Sequence, residues 1–473
     1  MSDRFDRRVF LASGAAAAGA LVAGSSPLEA AEEPASVKSY REPARDVPVV
    51  EHDDVIVCGA GPAGVSAAIC AARSGAKTRL IEVGGCLGGV WTCGLLSWIL
   101  DATNKPGLMR EMLVELERRG ASATYGTSIG YDVELMKLML DRMCLEAGVE
   151  IRLHTRVVAA ARDDAKRLRL AVTESKSGRE AWSADVFVDA TGDGDLAARA
   201  GCGFDLGRPR SGETQPLSMI VLLVGLKPDE MAEFVRGLAE RRGEPAPKDR
   251  LLAEMRRAGV DPSYSRPTLF YIREGLFAMM ANHEYGVSAT DAGGIAEATL
   301  RARAEVHTLV DGLRSLGGVW KNVQIVATPE HIGVREGRRI HGLYEVTQED
   351  LIAGARHDDA VCRVAFGVDV HSTDPGKDKG IMAEGVRARP YDIPYRALIA
   401  RDVDGLLMAG RCISGDFIAH SSYRVTGNAV AMGEAAGKAA AIAAGTKRLP
   451  REVPWAEIRE AVPLAEKTEP QEA

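Results

Sequence analysis

Apolar residues in the first part of the chain fall into short runs bounded by glycine and charged residues. Val55–Cys58 is a continuous apolar run, which is typical of a strand buried on both faces of a parallel sheet. Val65–Ser74 is rich in alanine and predicts a helix, which Gly75 closes. Lys77–Ile81 predicts a second strand. Together these runs predict a strand–helix–strand unit.

Apolar patterns predict further elements along the rest of the chain. Predicted strands lie at Val149–Val158, Leu168–Thr173, Asp185–Ala190 and Gly405–Gly410. Predicted helices lie at Asp229–Arg242 and Gly294–Leu316, which have the apolar spacing of packing helices, and at Ala429–Ala444, which consists mainly of small residues.

The sequence Gly59-Ala60-Gly61-Pro62-Ala63-Gly64 joins the first strand to the first helix and matches the dinucleotide-binding pattern G-x-G-x-x-G. We call this segment the glycine fingerprint. Gly59 permits the tight turn, Gly61 lets the backbone approach a pyrophosphate, and Gly64 lets the helix pack close to the strand. The helix N-terminus offers unpaired N–H groups to the phosphates. Glu82, at the end of the second strand, can accept hydrogen bonds from ribose hydroxyls. The whole unit predicts a dinucleotide site.

A second glycine-rich segment, Gly192–Ala197, matches the related pattern G-x-G-x-x-A. A second nucleotide site would also need an acidic residue at the end of a following strand. The sequence has no clear strand and acid after this segment, so we do not predict a second nucleotide site.

Length and charge narrow the class of protein. One hydrophobic core rarely grows beyond about 250–300 residues, so the 473 residues predict two intertwined domains. Apolar residues make up 46% and charged residues 26%, as in ordinary globular proteins. A net charge of −7 without a basic run argues against a nucleic-acid partner.

Eight cysteines are present, but none form a C-x-x-C pair and none lie with histidines at zinc or iron–sulfur spacing. We therefore expect no metal. Cys86 and Cys93 form a C-x6-C pair, which leaves a redox-active disulfide as an open alternative.

The first thirty residues have the pattern of an export signal. Arg7-Arg8 precedes Phe10-Leu11 and an uncharged stretch rich in alanine and glycine. The arginine pair resembles a twin-arginine signal, which implies export of the folded protein. The stretch is weakly apolar, so we expect signal cleavage near Ala30 or Ala31 and no stable membrane insertion afterwards. The expected location is the periplasm or another exported compartment.

Several later segments match a family pattern as well. A glycine-rich loop, Gly84–Gly89, follows the ribose acid, and the strand at Asp185–Ala190 leads into Thr191-Gly192. The strand at Gly405–Gly410 leads to Asp416, and Thr426-Gly427-Asn428 opens the last long helix. These segments resemble FAD-dependent oxidoreductases of the glutathione-reductase fold type, and within them fumarate-reductase-like flavoproteins and the flavin-binding part of heterodisulfide reductases.

This resemblance implies that FAD is the cofactor, that Asp416 bonds its ribityl chain, and that the last helix begins beneath the flavin ring. A helix N-terminus there would favour the negative charge of a reduced flavin. The residues that we expect to contact FAD are Gly59, Gly61, Pro62, Ala63, Gly64, Glu82, Gly88, Gly89, Val157, Ala190, Thr191, Gly192, Asp416, Gly427 and Asn428.

The resemblance also implies an α/β fold, in which a Rossmann-like FAD-binding domain carries an inserted α+β substrate domain. The expected divisions are a signal peptide at 1–31, a linker at 32–50, the FAD-binding domain at 51–204 and 391–447, the substrate domain at 205–390 with a returning FAD-contact segment near 324–349, and a tail at 448–473.

Two polar residues before the last helix are the candidates for catalysis. His420 and Arg424 lie between Asp416 and Thr426, so we expect them to face the flavin. A histidine can serve as a base near neutral pH, and a guanidinium can hold a carboxylate by two hydrogen bonds. The alternative is structural, with His420 bonded to the backbone and Arg424 in an ion pair. For Arg335 and Glu336 we expect an ion pair beside the cofactor.

The expected function is that of an FAD-dependent oxidoreductase, in which hydride passes between a small polar substrate and flavin N5. The expected partners are that substrate and an electron acceptor whose identity stays open, as does oligomerisation. One alternative is a nicotinamide-dependent dehydrogenase with the same glycine fingerprint. Another is an FAD-binding protein without turnover.

Overall fold

The computed structural model describes residues 40–235, 245–382 and 384–461. Residues 1–39, which include the predicted export signal and the first part of the predicted linker, lie outside the described residues, as does the end of the predicted tail. The strands of the described part are β1 (Val49–Cys58), β2 (Thr78–Ile81), β3 (Trp98–Ile99), β4 (Ser122–Tyr125), β5 (Ser128–Tyr131), β6 (Glu150–Arg152), β7 (Arg156–Arg162), β8 (Leu168–Ser175), β9 (Gly178–Asp189), β10 (Phe204–Asp205), β11 (Ile220–Val224), β12 (Thr268–Arg273), β13 (Leu276–Met280), β14 (Gln324–Ala327), β15 (Arg339–Ile340), β16 (Ala360–Val364), β17 (Val370–His371), β18 (Ile381–Met382), β19 (Tyr391–Pro394) and β20 (Leu406–Met408).

The helices of the same described residues complete the secondary structure. None of them is both long and apolar enough to cross a membrane. They are α1 (Pro62–Arg73), α2 (Leu108–Arg118), α3 (Val133–Glu146), α4 (Asp195–Arg199), α5 (Pro228–Met231), α6 (Pro247–Arg257), α7 (Ala292–Ser315), α8 (Gln348–Ala353), α9 (Phe417–Tyr423), α10 (Thr426–Thr446) and α11 (Trp455–Ala461).

The main sheet has seven strands, and β1 lies at its centre between β2 and β9, parallel to both. The apolar run Val55–Cys58 at the end of β1 is fully buried, because helices cover parallel sheets on both faces. The predicted strand–helix–strand unit is therefore confirmed as β1, α1 and β2. The mixed α/β class with a Rossmann-like parallel sheet is confirmed with it.

The long strand β9 has two neighbours on one edge. Its first half pairs antiparallel with β8, and its last residues pair parallel with β20. The C-terminal strand β20 thus joins the N-terminal half of the sheet, and both parts of the predicted cofactor domain share one sheet.

The single strand predicted at Val149–Val158 is wrong, because the chain forms two strands there. β6 pairs with β2, whereas β7 pairs with β8 at the other end of the sheet. Between them His154 has a φ of 52°, which lies in the left-handed region and breaks an extended run.

Helices α1 and α10 pack in close contact across one face of the sheet. A Cβ built at Gly433 would overlap the carbonyl group of Ala63, and one built at Gly437 would overlap that of Ala67. The small residues of α10 therefore let its backbone approach the helix that follows the glycine fingerprint.

A second hydrophobic core lies between Leu217 and Val334 and is separate from that of the main sheet. It contains an antiparallel sheet in the order β12-β13-β11-β14, together with α6 and α7. The helix predicted at Gly294–Leu316 is confirmed as α7. The helix predicted at Asp229–Arg242 is wrong in its described part, because α5 ends at Met231 and Val235 already bridges to β12. The predicted domain boundaries themselves stay a prediction.

Candidate active site

The glycine fingerprint lies at the C-terminal ends of β1, β2 and β9. The N–H of Gly59 donates to the carbonyl of Ile81 (2.7 Å), and its φ of 94° is one that glycine adopts without strain. A Cβ at Gly59 would overlap the Ala190 carbonyl, and a Cβ at Gly64 would overlap the Gly59 carbonyl. These two glycines therefore permit close packing inside the protein.

Gly61 differs from its neighbours, because a Cβ built there would meet no atom within 4 Å. It is the N-cap residue of α1, and Pro62 starts the helix. Its backbone thus borders open space where the helix presents free N–H groups, which is the geometry that a pyrophosphate needs.

The second glycine-rich loop folds against the first. The N–H of Gly88 donates to the Ala60 carbonyl (2.7 Å), and a Cβ built at Gly89 would lie 2.9 Å from the Cα of Gly61. The carboxylate of Glu82 accepts hydrogen bonds from the N–H groups of Ala60 (2.6 Å) and Gly84 (2.7 Å). Glu82 therefore joins the two loops.

Ala190, Thr191 and Gly192 follow the end of β9 and lie beside the same loops. The buried Asp189 carboxylate holds this turn, because it accepts hydrogen bonds from the N–H and the hydroxyl of Thr191 (3.0 and 2.7 Å). The N–H of Ala190 donates to the Cys58 carbonyl (2.8 Å). Val157 lies earlier in the chain on β7, paired with Thr173, and its contact with FAD stays a prediction.

The sequence did not single out Arg411, which follows β20 after two residues. Its guanidinium forms an ion pair with Asp193 (2.7 Å), and a Cβ built at Gly192 would lie 2.9 Å from its central carbon. The sequence signal that could have identified Arg411 is a cationic residue three positions after a buried strand. Arg411 therefore lies nearer to the end of β20 than Asp416, the residue that we expected to contact the cofactor after this strand.

Asp416 lies further on, as the N-cap residue of α9. Its Oδ1 accepts from the N–H of Ala419 (2.7 Å), and its Oδ2 accepts from the N–H of Gln348 (2.6 Å). Both carboxylate oxygens thus have backbone partners, and a bond from Asp416 to the ribityl chain of FAD stays a prediction.

The start of α10 carries buried polar atoms without protein partners. The hydroxyl of Thr426 and both side-chain amide atoms of Asn428 have no hydrogen-bond partner among the described residues. Asn428 is fully buried, and buried polar groups are normally hydrogen-bonded. The open space at Gly61 and these unpartnered atoms fit a bound dinucleotide cofactor that contacts both α1 and α10.

The sequence profile of the family described as FAD dependent oxidoreductase matches residues 54–462. The chain belongs to this family. The flavoenzyme is thus an FAD-dependent oxidoreductase, and FAD is its cofactor. This excludes the nicotinamide-dependent and inactive alternatives. A sequence comparison with curated proteins gives no match.

Three solved structures illustrate what the flavoenzyme's fold is similar to. A geranylgeranyl bacteriochlorophyll reductase-like protein from Thermoplasma acidophilum has 13% identity and a TM-score of 0.46, over 87% of this chain and 82% of that one. The flavin-dependent brominase Bmp2 has 13% identity and a TM-score of 0.48, over 87% of this chain and 83% of that one. The myxobacterial chondrochloren halogenase CndH has 15% identity and a TM-score of 0.46, over 87% of this chain and 78% of that one. These identities are too low to transfer a substrate to this chain.

His420 lies on α9 and is fully buried. Neither ring nitrogen makes a hydrogen bond of good geometry among the described residues, although the backbone of Arg411 acts on the ring as a weak hydrogen-bond partner. Burial, with the positive charges of Arg339, Arg424 and Arg411, holds the pKa of His420 well below its usual value. His420 in the flavoenzyme is therefore a neutral imidazole.

Arg424 ends α9 and turns toward residues that the sequence did not connect to it. Its guanidinium donates to the Asp369 carbonyl (2.9 Å) and lies near the Asp369 carboxylate (3.5 Å) and the Gln215 Oε1 atom (3.4 Å). Burial lowers the pKa of Arg424, although a guanidinium stays charged. Its proximity to the flavin stays a prediction.

The expected ion pair between Arg335 and Glu336 is wrong. Neighbouring residues in an extended segment point to opposite sides, and Glu336 pairs instead with Arg339 (2.7 Å). Arg335 donates to the Pro216 carbonyl and to the Ser218 hydroxyl, both at 2.7 Å.

A buried group of histidines lies beside Arg335 and Arg424, and the sequence analysis missed it. His371 Nδ1 lies 2.9 Å from His283 Nε2, and Asp369 lies 3.4 Å from the other nitrogen of His371. These residues are 88 positions apart in the chain, and single histidines without a motif gave no signal.

Cys86 and Cys93 meet beside the glycine loops, with 3.2 Å between their sulfur atoms, and both are free thiols. The hydrogen bond from Cys93 lowers the pKa of Cys86 to about 6. The same bond, with burial, raises the pKa of Cys93. Whether they are redox-active stays open.

Proposed function

We propose that the flavoenzyme transfers a hydride between a small anionic substrate and the flavin. The observation that carries the proposal is Arg335, a guanidinium that forms no salt bridge to a carboxylate among the described residues. Its guanidinium contacts are the Pro216 carbonyl, the Ser218 hydroxyl and the Met280 sulfur. Arg335 is only partly exposed, and a cation partly removed from water without an anionic partner is costly, so an anionic ligand would complete this site.

The charges around Arg335 support an anionic substrate. Burial and the neighbouring Arg424 lower the pKa of Arg335 to about 10. Asp369 acts on Arg335 electrostatically, but its carboxylate is shared with Arg424 and His371. Two guanidiniums therefore face one carboxylate, and this excess of positive charge favours a substrate with at least one carboxylate or similar anionic group.

Arg424 is the residue that would position such a substrate. It lies two residues before α10, whose first residues carry the unpartnered polar atoms. A guanidinium can hold a carboxylate at two points and so fix the reacting carbon. The bound FAD would supply the hydride acceptor or donor. Gly59, Gly61, Gly64, Gly88, Gly89 and Glu82 would hold its adenosine and pyrophosphate part, and Gly427 and Asn428 its ring.

His420 is our candidate for the proton that accompanies the hydride. Because its imidazole is neutral, one ring nitrogen has a free lone pair that can take a proton from a substrate hydroxyl or amine. We also propose that the flavoenzyme is related to fumarate-reductase-like and heterodisulfide-reductase-like flavoproteins. In the same proposal, it is exported and exchanges electrons with an external acceptor.

The test is an anaerobic screen of small metabolites for loss of the oxidised-flavin absorbance, followed by stopped-flow reduction with each active compound. We expect the active compounds to be carboxylates or other anions. Arg424→Lys should reduce kcat/KM at least tenfold while FAD is retained, because an ammonium cannot make the planar two-point contact. Arg169→Lys, an exposed pair with Asp163, is the control. Active compounds that are all uncharged would contradict the proposal.

A further inference from the structure

Four side chains form a continuous row of polar contacts next to the two arginines. Asp369 Oδ2 lies 3.4 Å from His371 Nε2, and His371 Nδ1 lies 2.9 Å from His283 Nε2. His283 Nδ1 lies 3.1 Å from the Tyr285 hydroxyl, which lies 3.0 Å from the Ser263 carbonyl. No motif linked these residues, and the fold brings them together from three segments.

The middle of the row is buried, whereas both ends are partly exposed. His283 is 2% and His371 is 4% exposed. The Asp369 side chain is 20% exposed, and Tyr285 is half-buried. The fully buried Tyr264 packs against His283, with 4.2 Å between ring centres and 34° between the ring planes. The row thus runs through the protein between two solvent-accessible points.

The contacts admit two complete arrangements of protons. In the first, Tyr285 donates to His283 Nδ1, His283 donates from Nε2 to His371 Nδ1, and His371 donates from Nε2 to ionised Asp369. In the second, Asp369 is protonated and donates to His371, His371 donates from Nδ1 to His283, and His283 donates from Nδ1 to Tyr285. The Tyr285 hydroxyl then donates to the Ser263 carbonyl. Every group is satisfied in both arrangements.

The second arrangement holds one proton more than the first. To pass from the first to the second, one proton moves along each contact toward Asp369, and the Tyr285 oxygen takes its replacement proton from water and turns toward the Ser263 carbonyl. When the proton of Tyr285 leaves to water, the His283 Nδ1 proton moves to the phenolic oxygen and the first arrangement is restored. No electron transfer and no further reactant are needed.

We propose that Asp369, His371, His283 and Tyr285 form a proton-transfer chain between the substrate site and solvent. The proposal rests on the proposed function only for the anion that triggers proton uptake, which is the substrate bound at Arg335 and Arg424. The chain itself is a property of the resting enzyme and is tested there as well.

The charged groups around the chain set when it takes up the extra proton. Burial lowers the pKa of His283, and burial with Arg335 lowers that of His371 to about 3, so both rings are neutral. Burial would raise the pKa of Asp369, but His371, Arg424 and Arg335 hold it below its usual value. Burial raises the pKa of Tyr285 to about 12, with Arg335, Asp378 and Glu305 also facing it.

An anion bound to the arginines would cancel their positive field. The pKa of the Asp369–His371 pair would then rise, so binding of an anionic substrate would make this pair a better proton acceptor. Substrate binding and proton uptake are thereby linked.

The first test is nitrogen NMR of the FAD-loaded enzyme labelled with 15N-histidine, with His283→Gln and His371→Gln used only for assignment among the nine histidines. Without added anion, we expect both rings to be neutral and protonated on Nε2. With saturating malonate, both should change together to protonation on Nδ1. Opposite tautomers in the resting enzyme, or an imidazolium that titrates near pH 6.5, would overturn the chain.

The second test measures protons directly. Calorimetry of malonate binding in buffers of different ionisation enthalpy should show proton uptake by wild-type enzyme, and Asp369→Asn should remove it. With a substrate from the screen, Tyr285→Phe should delay proton uptake on substrate binding, followed with a pH-indicator dye, on the order of 10²-fold. Tyr271→Phe, a half-buried tyrosine on β12, is the control. Unchanged uptake in Tyr285→Phe with normal flavin reduction would overturn the chain and leave hydride transfer intact.

Discussion

Oε2 of Glu82 lies 2.6 Å from the backbone nitrogen of Ala60. The acid at the end of β2 therefore supports the glycine loop, in addition to the ribose contact that we predict for it. Its other oxygen accepts a hydrogen bond from the N–H of Gly84, so one carboxylate positions both loops. Loss of its charge should therefore weaken FAD binding and lower the stability of the fold.

Replacing Glu82 with glutamine should lower both FAD occupancy and stability. The amide has a single acceptor oxygen, so one backbone N–H would be left without its partner. A hydrogen bond to a charged group contributes about 1.5–3 kcal/mol, and we expect a loss of about that size in the free energy of unfolding. The FAD-to-protein absorbance ratio and urea denaturation measure the two effects. Glu117→Gln, on the exposed side of α2, is the control, and full FAD content in Glu82→Gln would contradict the role.

Gly61→Val should yield folded protein that lacks FAD. The valine side chain has room in the protein itself, but it would fill the space that the pyrophosphate needs. Gly445→Val is a matched control, because a Cβ there also meets no atom within 4 Å and the site is at the far end of α10. Circular dichroism and flavin absorbance separate folding from binding. A Gly61→Val protein with a full complement of FAD would show that the pyrophosphate lies elsewhere.

His420→Ala should slow flavin reduction by roughly 10²–10⁴-fold, and part of the rate should return at high pH. Because the pKa of His420 is lowered, the neutral base persists at low pH. The wild-type rate should therefore stay level as pH falls from about 8 through about 6.5, the usual histidine pKa. Stopped-flow reduction across this range is the measurement. A His420→Ala variant that reduces at the wild-type rate returns His420 to a structural role, as does one that loses FAD.

Replacement of Arg7 and Arg8 with lysine should leave the precursor in the cytoplasm. The twin-arginine route requires the arginine pair, and it carries folded proteins, so FAD could be loaded before export. Cell fractionation with an antibody to the mature protein follows the location. Export of the double-lysine variant at the normal level would exclude this route.

Cys86 should react with iodoacetamide before the other thiols. Its pKa of about 6 makes it largely a thiolate at neutral pH, and the thiolate is the reactive form. Since the lowered pKa depends on the hydrogen bond from Cys93, Cys93→Ala, which has no donor, should slow Cys86 alkylation more in mildly acidic than in alkaline buffer. Peptide mass spectrometry identifies the modified residue. First modification of buried Cys58 or Cys412 would contradict the assignment.

The sequence predicted the parts of the fold that depend on local pattern. β1, α1 and β2 follow from one apolar run and one glycine motif, in which each glycine has a separate steric reason. The split between β6 and β7 could not be seen, because it depends on the left-handed backbone of His154 and on which distant strand each segment pairs with.

The candidate site was only half predictable for the same reason. The glycine loops are contiguous motifs, but the row from Asp369 to Tyr285 exists only after β17 lies beside the segment that follows β13. Arg335 was paired with its sequence neighbour Glu336, whereas the backbone turns the two side chains apart, toward Ser218 and Arg339. Contacts between distant segments leave no periodic trace in the chain.

The contact of Gly433 and Gly437 with α1 sets the order in which the protein can mature. Ribosomes add roughly 5–20 residues per second, so α10 emerges on the order of 20–70 s after α1. During that interval the nascent chain has the glycine loop but no partner for the helix behind it. We therefore expect FAD to bind only after the polypeptide is complete. A C-terminal truncation before Gly433 should abolish FAD binding even though the whole glycine fingerprint has been synthesised.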